Sequence, residues 1–318
     1  MSQPMKLFSG LSHQALAEEV AALIRVPLGN VRLGRFRSGE IYVNFEESVR
    51  GKDVYILQSF SPPINEHFME LLVMVDALKR SSVGTINAII PYYGYARQEK
   101  QDKPREPITA KMIADMLTTI GVQRVITFDL HAPAIQGFFN IPVEHLTALD
   151  VLAEAVRTLR LENAVVVSPD AGRVKTAEKF ANLLDLPFAI VHKRRPGHHE
   201  AAVTHIIGDV KGKTPIIIED MIDTGGTILK VVERLMENGA KPAIVCATHA
   251  VFSPPAQEKL NHPGIEKMIV TNTLPIEERS FERLQIVSVA PLLAEAISRI
   301  HEHRSISIIW QESDSVKE

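Results

Sequence analysis

Two adjacent acidic residues and a glycine- and threonine-rich segment form the pattern in this sequence best suited to chemistry. Glu219 and Asp220 close the apolar run over residues 216–218, and a helical pattern begins shortly after them. A buried strand that turns through glycines into a helix presents backbone N–H groups to a phosphate, and threonine hydroxyls add donors. The segment between the acids and the helix is Asp223, Thr224, Gly225, Gly226 and Thr227.

Carboxylates repel a phosphate, so Glu219 and Asp220 are expected to accept hydrogen bonds from sugar hydroxyls or to act as outer ligands of Mg²⁺. The two halves of the pattern together predict a site for a phosphorylated polyol. An ordinary acidic turn followed by a helix cap is the alternative.

A second candidate pair follows another apolar run. Asp129 and His131 stand two residues apart at the expected end of a strand over residues 125–128, and alternate residues of a strand point to one face. The pair could hold a cation or a nucleotide phosphate. A lone histidine is more often structural, so the residues themselves leave both interpretations open.

Short apolar runs alternate with helical patterns through most of the chain. Continuous β-branched runs are typical of parallel strands that are buried on both faces. The pattern predicts an α/β protein with two related doubly wound domains and mainly parallel sheets. Helices are predicted over residues 65–82 and 228–236, the second stopping at Asn238-Gly239. The predicted strands are 54–57, 86–90, 125–128, 165–167, 216–218, 244–246 and 268–270.

Length and composition bound the class of protein. A chain of 318 residues exceeds the ~250–300 at which single cores stop growing. A break in the pattern near residues 140–150 predicts domains over 1–146 and 147–318, with residues from about 304 onward packing back on the first.

The 35 Lys and Arg against 38 Asp and Glu give a net charge of −3, so neither nucleic acid nor an anionic membrane is an expected partner. The single cysteine, Cys246, favours a reducing compartment such as the cytoplasm.

Segments along nearly the whole chain resemble the ribose-phosphate pyrophosphokinase family. The acidic pair with its loop resembles the phosphoribosyl pyrophosphate motif, which phosphoribosyltransferases share, although here Glu219 replaces the first of two aspartates. Phosphoribosyltransferases lack the first domain, so the other matching segments separate the two families. Those segments are 65–67 with 74–78, 92–98 with 105–111, 128–132, 167–170, 193–196 and 289–296.

The resemblance implies a phosphoribosyltransferase-like type I fold and a Mg²⁺-dependent reaction. The diphosphoryl group of ATP would move to the C1 hydroxyl of ribose 5-phosphate, giving 5-phosphoribosyl 1-pyrophosphate and AMP. Lys193 and Arg195 would be catalytic, on a loop that closes over the triphosphate. His131 and Asp170 would contact Mg²⁺. Ribose 5-phosphate would lie on the residues from Glu219 to Thr227 already named.

Further roles are implied by the same resemblance. It suggests a homo-oligomer, commonly a hexamer built from dimers, with inorganic phosphate and ADP as effectors. The implied ATP contacts are Phe36, Ser38, Glu40, Arg97, Gln98, Asp102 and His131. The implied regulatory contacts are Ser48, Arg50, Ser82, Lys103 and Arg105.

Two rival functions are weighed against an active synthetase, and departures from the family pattern bear on one of them. Arg173 replaces a glycine, Ser38 replaces an Asp or Asn, and Gln101 replaces a basic residue. The rivals are a phosphoribosyltransferase, which would consume the product, and a non-catalytic regulatory subunit, which Arg173 and Ser38 favour. For Phe36, core packing is the alternative to adenine stacking.

Overall fold

The computed structural model describes residues 4–194, 203–276 and 283–307. These residues fall into two compact units. Unit 2 consists of the described residues of Ala148–Asn272 and Ile276–Ser288, and unit 1 of those of Met1–Thr147, Thr273–Pro275 and Val289–Glu318. The main division falls between Thr147 and Ala148, where the sequence analysis expected a boundary between residues 146 and 147. The helix over Ala290–His301 groups with unit 1. Residues 308–318, part of the segment expected to pack back, lie outside the described residues.

Unit 1 contains a five-stranded sheet in which every pair of neighbours is parallel. A separate antiparallel hairpin interrupts the sequence order after the first strand. The sheet, in spatial order, is β1 (Met5–Ser9), β4 (Asp53–Leu57), β5 (Thr85–Ile90), β6 (Arg124–Phe128) and β7 (Val143–Leu146). The hairpin is β2 (Val31–Arg35) and β3 (Ile41–Phe45).

Unit 2 contains a seven-stranded sheet in which only the edge pair β9–β10 is antiparallel. In spatial order its strands are β10 (Val203–Ile207), β9 (Phe188–Arg194), β8 (Ala164–Ser168), β11 (Thr214–Ile222), β12 (Ala243–Ala250), β13 (Ile265–Thr271) and β14 (Leu284–Val287).

The helices follow the same plan in both units. In unit 1 they are α1 (Gln14–Ile24), α2 (Ile64–Arg80), α3 (Thr109–Ile120) and α8 (Ala290–His301), and in unit 2 they are α4 (Leu149–Arg157), α5 (Val174–Leu184), α6 (Gly226–Glu237) and α7 (Ala256–Leu260). Short 3₁₀ turns cover Pro133–Phe138 and Ala171–Arg173. From β1 to β7 and again from β8 to β14, the chain runs as strand, helix, antiparallel pair, strand, helix, strand, helix and two further strands. This shared order confirms the predicted α/β fold with mainly parallel sheets.

The continuous apolar runs lie in strands that are buried on both faces. Ile217 packs in one core cluster of unit 2, while its neighbours Ile216 and Ile218 pack in the other, on the opposite side. All seven predicted strand runs fall inside strands. The two predicted helices correspond to α2 and α6, and α6 ends at a cap on Asn238, with Gly239 at φ +79°. Over the described residues, no helix combines the length and apolar character needed to cross a membrane.

Candidate active site

The carboxyl ends of β8 and β11 meet where the strand order of unit 2 reverses. From β8 the chain builds outward to β9 and β10, and from β11 it builds to the other side through β12 and β13. Ligands of open α/β sheets bind in the crevice at such a point, because the loops leave the sheet in opposite directions there. Asp170 follows β8, and the loop from Asp223 follows β11.

Glu219 and Asp220 lie within β11, which extends to Ile222 and is longer than the run predicted from sequence. Both side chains are nearly buried, with 10% and 8% of their surface exposed. Burial, reinforced by the charge of Asp220, raises the pKa of Glu219 to about 8 although Arg173 opposes the shift. Burial therefore disfavours the charged form of Glu219 in the ligand-free site.

Arg173 reaches across to this acidic pair. Its guanidinium lies 2.6 Å from the carboxylate of Asp220 and 3.5 Å from that of Glu219, and its side chain is 15% exposed. The sequence singled out Arg173 as a departure from the family pattern without indicating its partners. The structure shows that it places a fixed positive charge against the acids.

The side chain of Asp170 holds the backbone at Gly172 and Arg173 in place. Its Oδ1 accepts hydrogen bonds from the backbone N–H groups of Gly172 at 2.8 Å and Arg173 at 3.1 Å. These bonds cap the 3₁₀ turn that leads into α5. Asp170 thus begins an ordered turn at the same sheet edge as the acidic pair.

The loop after β11 has the geometry of a phosphate cradle. Gly225 is the N-cap of α6 at φ +73°, and no side chain caps the helix. The first N–H groups of α6 therefore remain available to an anion. Thr224 and Thr227 are exposed, and Asp223 is partly buried beside them.

Lys259 adds a positive charge that the sequence analysis missed. Its Nζ lies 3.9 Å from the point where a Cβ on Gly226 would stand. Lys259 belongs to α7, which contacts α6, so only the packing of the two helices brings it to the loop. No local pattern around Lys259 could have indicated this placement.

Substituting Gly225 is expected to destabilise the protein, unlike substituting its neighbour. A Cβ at Gly225 would lie 2.9 Å from Cγ of Leu260, a fully buried side chain, and would demand a left-handed backbone. We expect Gly225→Ala to lower the free energy of unfolding by about 1–3 kcal/mol in urea denaturation. Gly226→Ala is the matched control, because its Cβ meets nothing closer than 3.9 Å and its φ is not positive. Equal losses in the two variants would contradict this account of the loop.

The aromatic candidate of unit 1 is exposed. Phe36 is 54% exposed and stacks edge-on against Tyr42, with ring centroids 5.6 Å apart. Core packing is therefore excluded for Phe36. Ser38 donates a hydrogen bond from Oγ to Oε2 of Glu40 at 2.6 Å, so these two residues form one polar group beside the ring.

The other ATP-side candidates follow β5. Arg97 is exposed, while Oε1 of Gln98 accepts a hydrogen bond from Oγ1 of Thr109 at 2.5 Å. Gln98 therefore joins its loop to the start of α3. Asp102 is exposed and lies 3.7 Å from Nζ of Lys100.

The strand argument for Asp129 and His131 is wrong. β6 ends at Phe128, and Asp129 has φ +29°, so alternation along a strand does not orient the pair. The N–H of Asp129 donates to the carbonyl of Leu146 at 3.0 Å, so Asp129 stays attached to β7 where the backbone leaves the strand. His131 is partly buried in the turn that follows β6.

The regulatory candidates occupy three segments of unit 1, and two of these segments contact each other. Arg50 forms an isolated antiparallel bridge with Val83, and N–H of Gly51 donates to the carbonyl of Ser82 at 2.9 Å, so the structure brings these segments together. Ser48 is exposed on the same segment. Lys103 and Arg105 belong to the loop before α3, where N–H of Lys103 donates to Glu106 at 3.0 Å. Gln101 also bonds to Glu106, through its side-chain amide.

Of the two catalytic candidates, Lys193 lies near the end of β9. The backbone of Lys193 pairs with Thr204 across β9 and β10. Arg195 lies outside the described residues.

The donor set at the edge of unit 2 fits Mg²⁺ brought by a substrate. Asp170, Glu219 and Asp220 provide hard oxygen ligands there, the kind that Mg²⁺ prefers. Within the described ranges, no group of three or more His, Cys, Asp or Glu side chains is arranged to hold an ion alone. Mg²⁺ commonly binds through one or two carboxylates plus substrate phosphates and water, so this arrangement suits it.

Comparison with known proteins identifies close relatives. Residues 5–121 match the model described as the N-terminal domain of ribose phosphate pyrophosphokinase, and residues 193–311 match the phosphoribosyl synthetase-associated domain. The chain is 52% identical over 307 residues to the ribose-phosphate pyrophosphokinase of Bacillus subtilis (strain 168), covering 96% of this chain and 97% of that protein. It is 48% identical over 311 residues to the enzyme of Corynebacterium ammoniagenes, covering 98% of each.

A solved structure agrees with these relatives. The phosphoribosylpyrophosphate synthetase from Mycobacterium smegmatis superposes with a TM-score of 0.90 at 46% identity. The match covers 95% of this chain and 100% of the Mycobacterium smegmatis chain. Both the sequence and the fold are therefore shared over nearly the full length.

Proposed function

The chain belongs to the ribose-phosphate pyrophosphokinase family, and we propose on this basis that it transfers the diphosphoryl group of ATP to the C1 hydroxyl of ribose 5-phosphate. The protein is thus an enzyme of phosphoribosyl pyrophosphate synthesis. The C1 oxygen bonds to the β-phosphorus, the bridge from the β-phosphorus to the α-phosphate breaks, and AMP leaves. The hydroxyl proton passes to solvent.

The observation that carries this proposal is the phosphate cradle beside a buried acidic pair. The N-terminus of α6 and Lys259 supply positive charge for the 5-phosphate. Asp220 and Glu219 lie at the same edge of unit 2 and are suited to the ribose hydroxyls. A sugar phosphate satisfies both groups at once.

Diphosphoryl transfer depends on positioning and charge neutralisation more than on covalent catalysis. Lys193 and Arg195 are the proposed cations for the charge that develops on the moving group. Phe36 offers an exposed ring for adenine, with Arg97, Gln98 and Asp102 as further contacts of ATP. Asp170 and His131 are the proposed Mg²⁺ contacts. When bound, Mg²⁺ neutralises phosphate charge and polarises the phosphoryl oxygens.

The proposal also includes an effector site, a homo-oligomer and a cellular location. Arg50 and Ser82, joined through Gly51, form the proposed phosphate and ADP site together with Ser48, Lys103 and Arg105. A homo-oligomer is supported by an apolar surface groove between α2 and α3, lined by Leu72, the half-exposed Met112 and Ile108, which precedes α3. A cytoplasmic location remains part of the proposal.

Sugar-dependent release of AMP tests the proposed reaction. We expect the enzyme with ATP and Mg²⁺ to form AMP only when ribose 5-phosphate is added. Absence of sugar-dependent AMP would contradict catalysis and favour a regulatory subunit. Release of pyrophosphate from phosphoribosyl pyrophosphate and a nucleobase would instead indicate a phosphoribosyltransferase.

A further inference from the structure

Arg173 gives the acidic pair an internal counter-charge. The guanidinium contacts Asp220 at 2.6 Å and Glu219 at 3.5 Å, and all three side chains are at most 15% exposed. At this degree of burial, solvent screens such interactions much less than it screens surface ion pairs. Arginine also keeps its charge at every pH that a protein tolerates. The charge beside the acids is therefore permanent.

The backbone holds Arg173 in this position. Asp170 accepts the N–H groups of Gly172 and Arg173, and Arg173 is the residue from which α5 starts. The guanidinium thus extends from an ordered turn of one strand end to the acids of the next. A divalent cation attracted by Asp170, Glu219 and Asp220 would meet this positive charge.

We propose that Arg173 takes the electrostatic place of a divalent cation beside Glu219 and Asp220, so that the ligand-free site excludes free metal ions. The exclusion itself rests only on the contacts of Arg173. Its consequence, that metal enters this site with the substrate phosphates, rests on the proposed function. Arg173 is a positioning residue in this account, because it acts through the two carboxylates.

Binding of Mn²⁺ to the ligand-free enzyme tests this role without any turnover. Mn²⁺ takes the same oxygen ligands as Mg²⁺, and the electron paramagnetic resonance signal of the free ion measures its binding. We expect Arg173→Gln to create a site that binds Mn²⁺ at least about tenfold more tightly than the wild type does, because a like charge within contact distance is removed. Arg173→Lys, which keeps the charge, should resemble the wild type.

Two controls assign the gain to this cluster. Arg234→Gln removes the same charge from unit 2, where Arg234 pairs with Glu237 near the end of α6, and should leave Mn²⁺ binding unchanged. Adding Glu219→Gln to Arg173→Gln should abolish the new site. Equal Mn²⁺ affinity in Arg173→Gln and Arg234→Gln, or a gain that survives the double substitution, would overturn the proposal.

A further variant decides the question if Arg173→Gln does not fold. Glu219→Gln in the wild-type background should leave Mn²⁺ binding by the ligand-free enzyme unchanged, because Arg173 already excludes the ion. A loss of Mn²⁺ binding in this variant would contradict the proposal. Failure of sugar-dependent AMP release alongside the expected Mn²⁺ results would overturn the proposed function alone.

Discussion

Replacing Lys193 with alanine is expected to lower turnover by about 100- to 1000-fold, the loss typical of removing one preorganised electrostatic contact to a transition state. Ribose 5-phosphate should still bind, because its proposed contacts lie on β11 and α6, while Lys193 belongs to β9. The measurements are kcat from AMP formation and the dissociation constant of ribose 5-phosphate by calorimetry. Loss of kcat without loss of sugar binding would place Lys193 in the transfer step.

Arg194→Ala provides the matched control for this prediction. Alternate residues of an extended segment share a face, so the sequence predicts that Lys193 and Arg195 act together and that Arg194 does not. The control removes a neighbouring positive charge from the same strand and should retain most turnover. A nearly unchanged kcat in Lys193→Ala, or equal losses in the two variants, would remove Lys193 from the mechanism.

Replacing Asp220 with asparagine is expected to weaken ribose 5-phosphate binding by about 10- to 100-fold, the loss associated with one charge-assisted hydrogen bond. The substitution keeps the shape of the side chain but removes the charge that is held 2.6 Å from Arg173. ATP affinity should change little, because the proposed ATP contacts, apart from the metal and the cations Lys193 and Arg195, lie in unit 1. Calorimetric titration with each substrate separates the two affinities.

Glu237→Gln removes an equal charge from the surface of unit 2. Glu237 is 62% exposed and pairs with Arg234 at 2.7 Å, and exposed pairs of this kind contribute about 0–1 kcal/mol. We expect wild-type affinity for ribose 5-phosphate in this variant. Unchanged sugar affinity in Asp220→Asn, or an equal loss for ATP, would contradict the assignment of Asp220 to the ribose.

Burial explains which parts of the fold could be predicted from sequence. Strands such as β5 and β12 are buried on both faces, so their apolar residues form continuous runs. The hairpin strand β3 alternates between partly buried and exposed residues and β2 contains no fully buried residue, so no continuous apolar run marked either strand. The positive φ of Asp129, the residue after β6, also could not be predicted from the composition of that segment.

The candidate site also contains both residues that the sequence indicated and residues that it did not. The acids and the loop of β11 are contiguous, so their order alone indicated a phosphorylated sugar. Arg173 ends the 3₁₀ turn before α5 and Lys259 belongs to α7, and only tertiary packing brings them to β11 and α6. The net charge of −3 is a total over the whole chain, so it gave no indication of these two local cations.

The fate of the β- and γ-phosphorus atoms of ATP tests the central claim most directly. Phosphorus nuclear magnetic resonance of a reaction with ATP, Mg²⁺ and ribose 5-phosphate should show both atoms, still joined, on a sugar 1-diphosphate. AMP should form in equal amount. Formation of ADP with a singly phosphorylated C1, or of AMP and free pyrophosphate without a sugar product, would contradict diphosphoryl transfer by this protein.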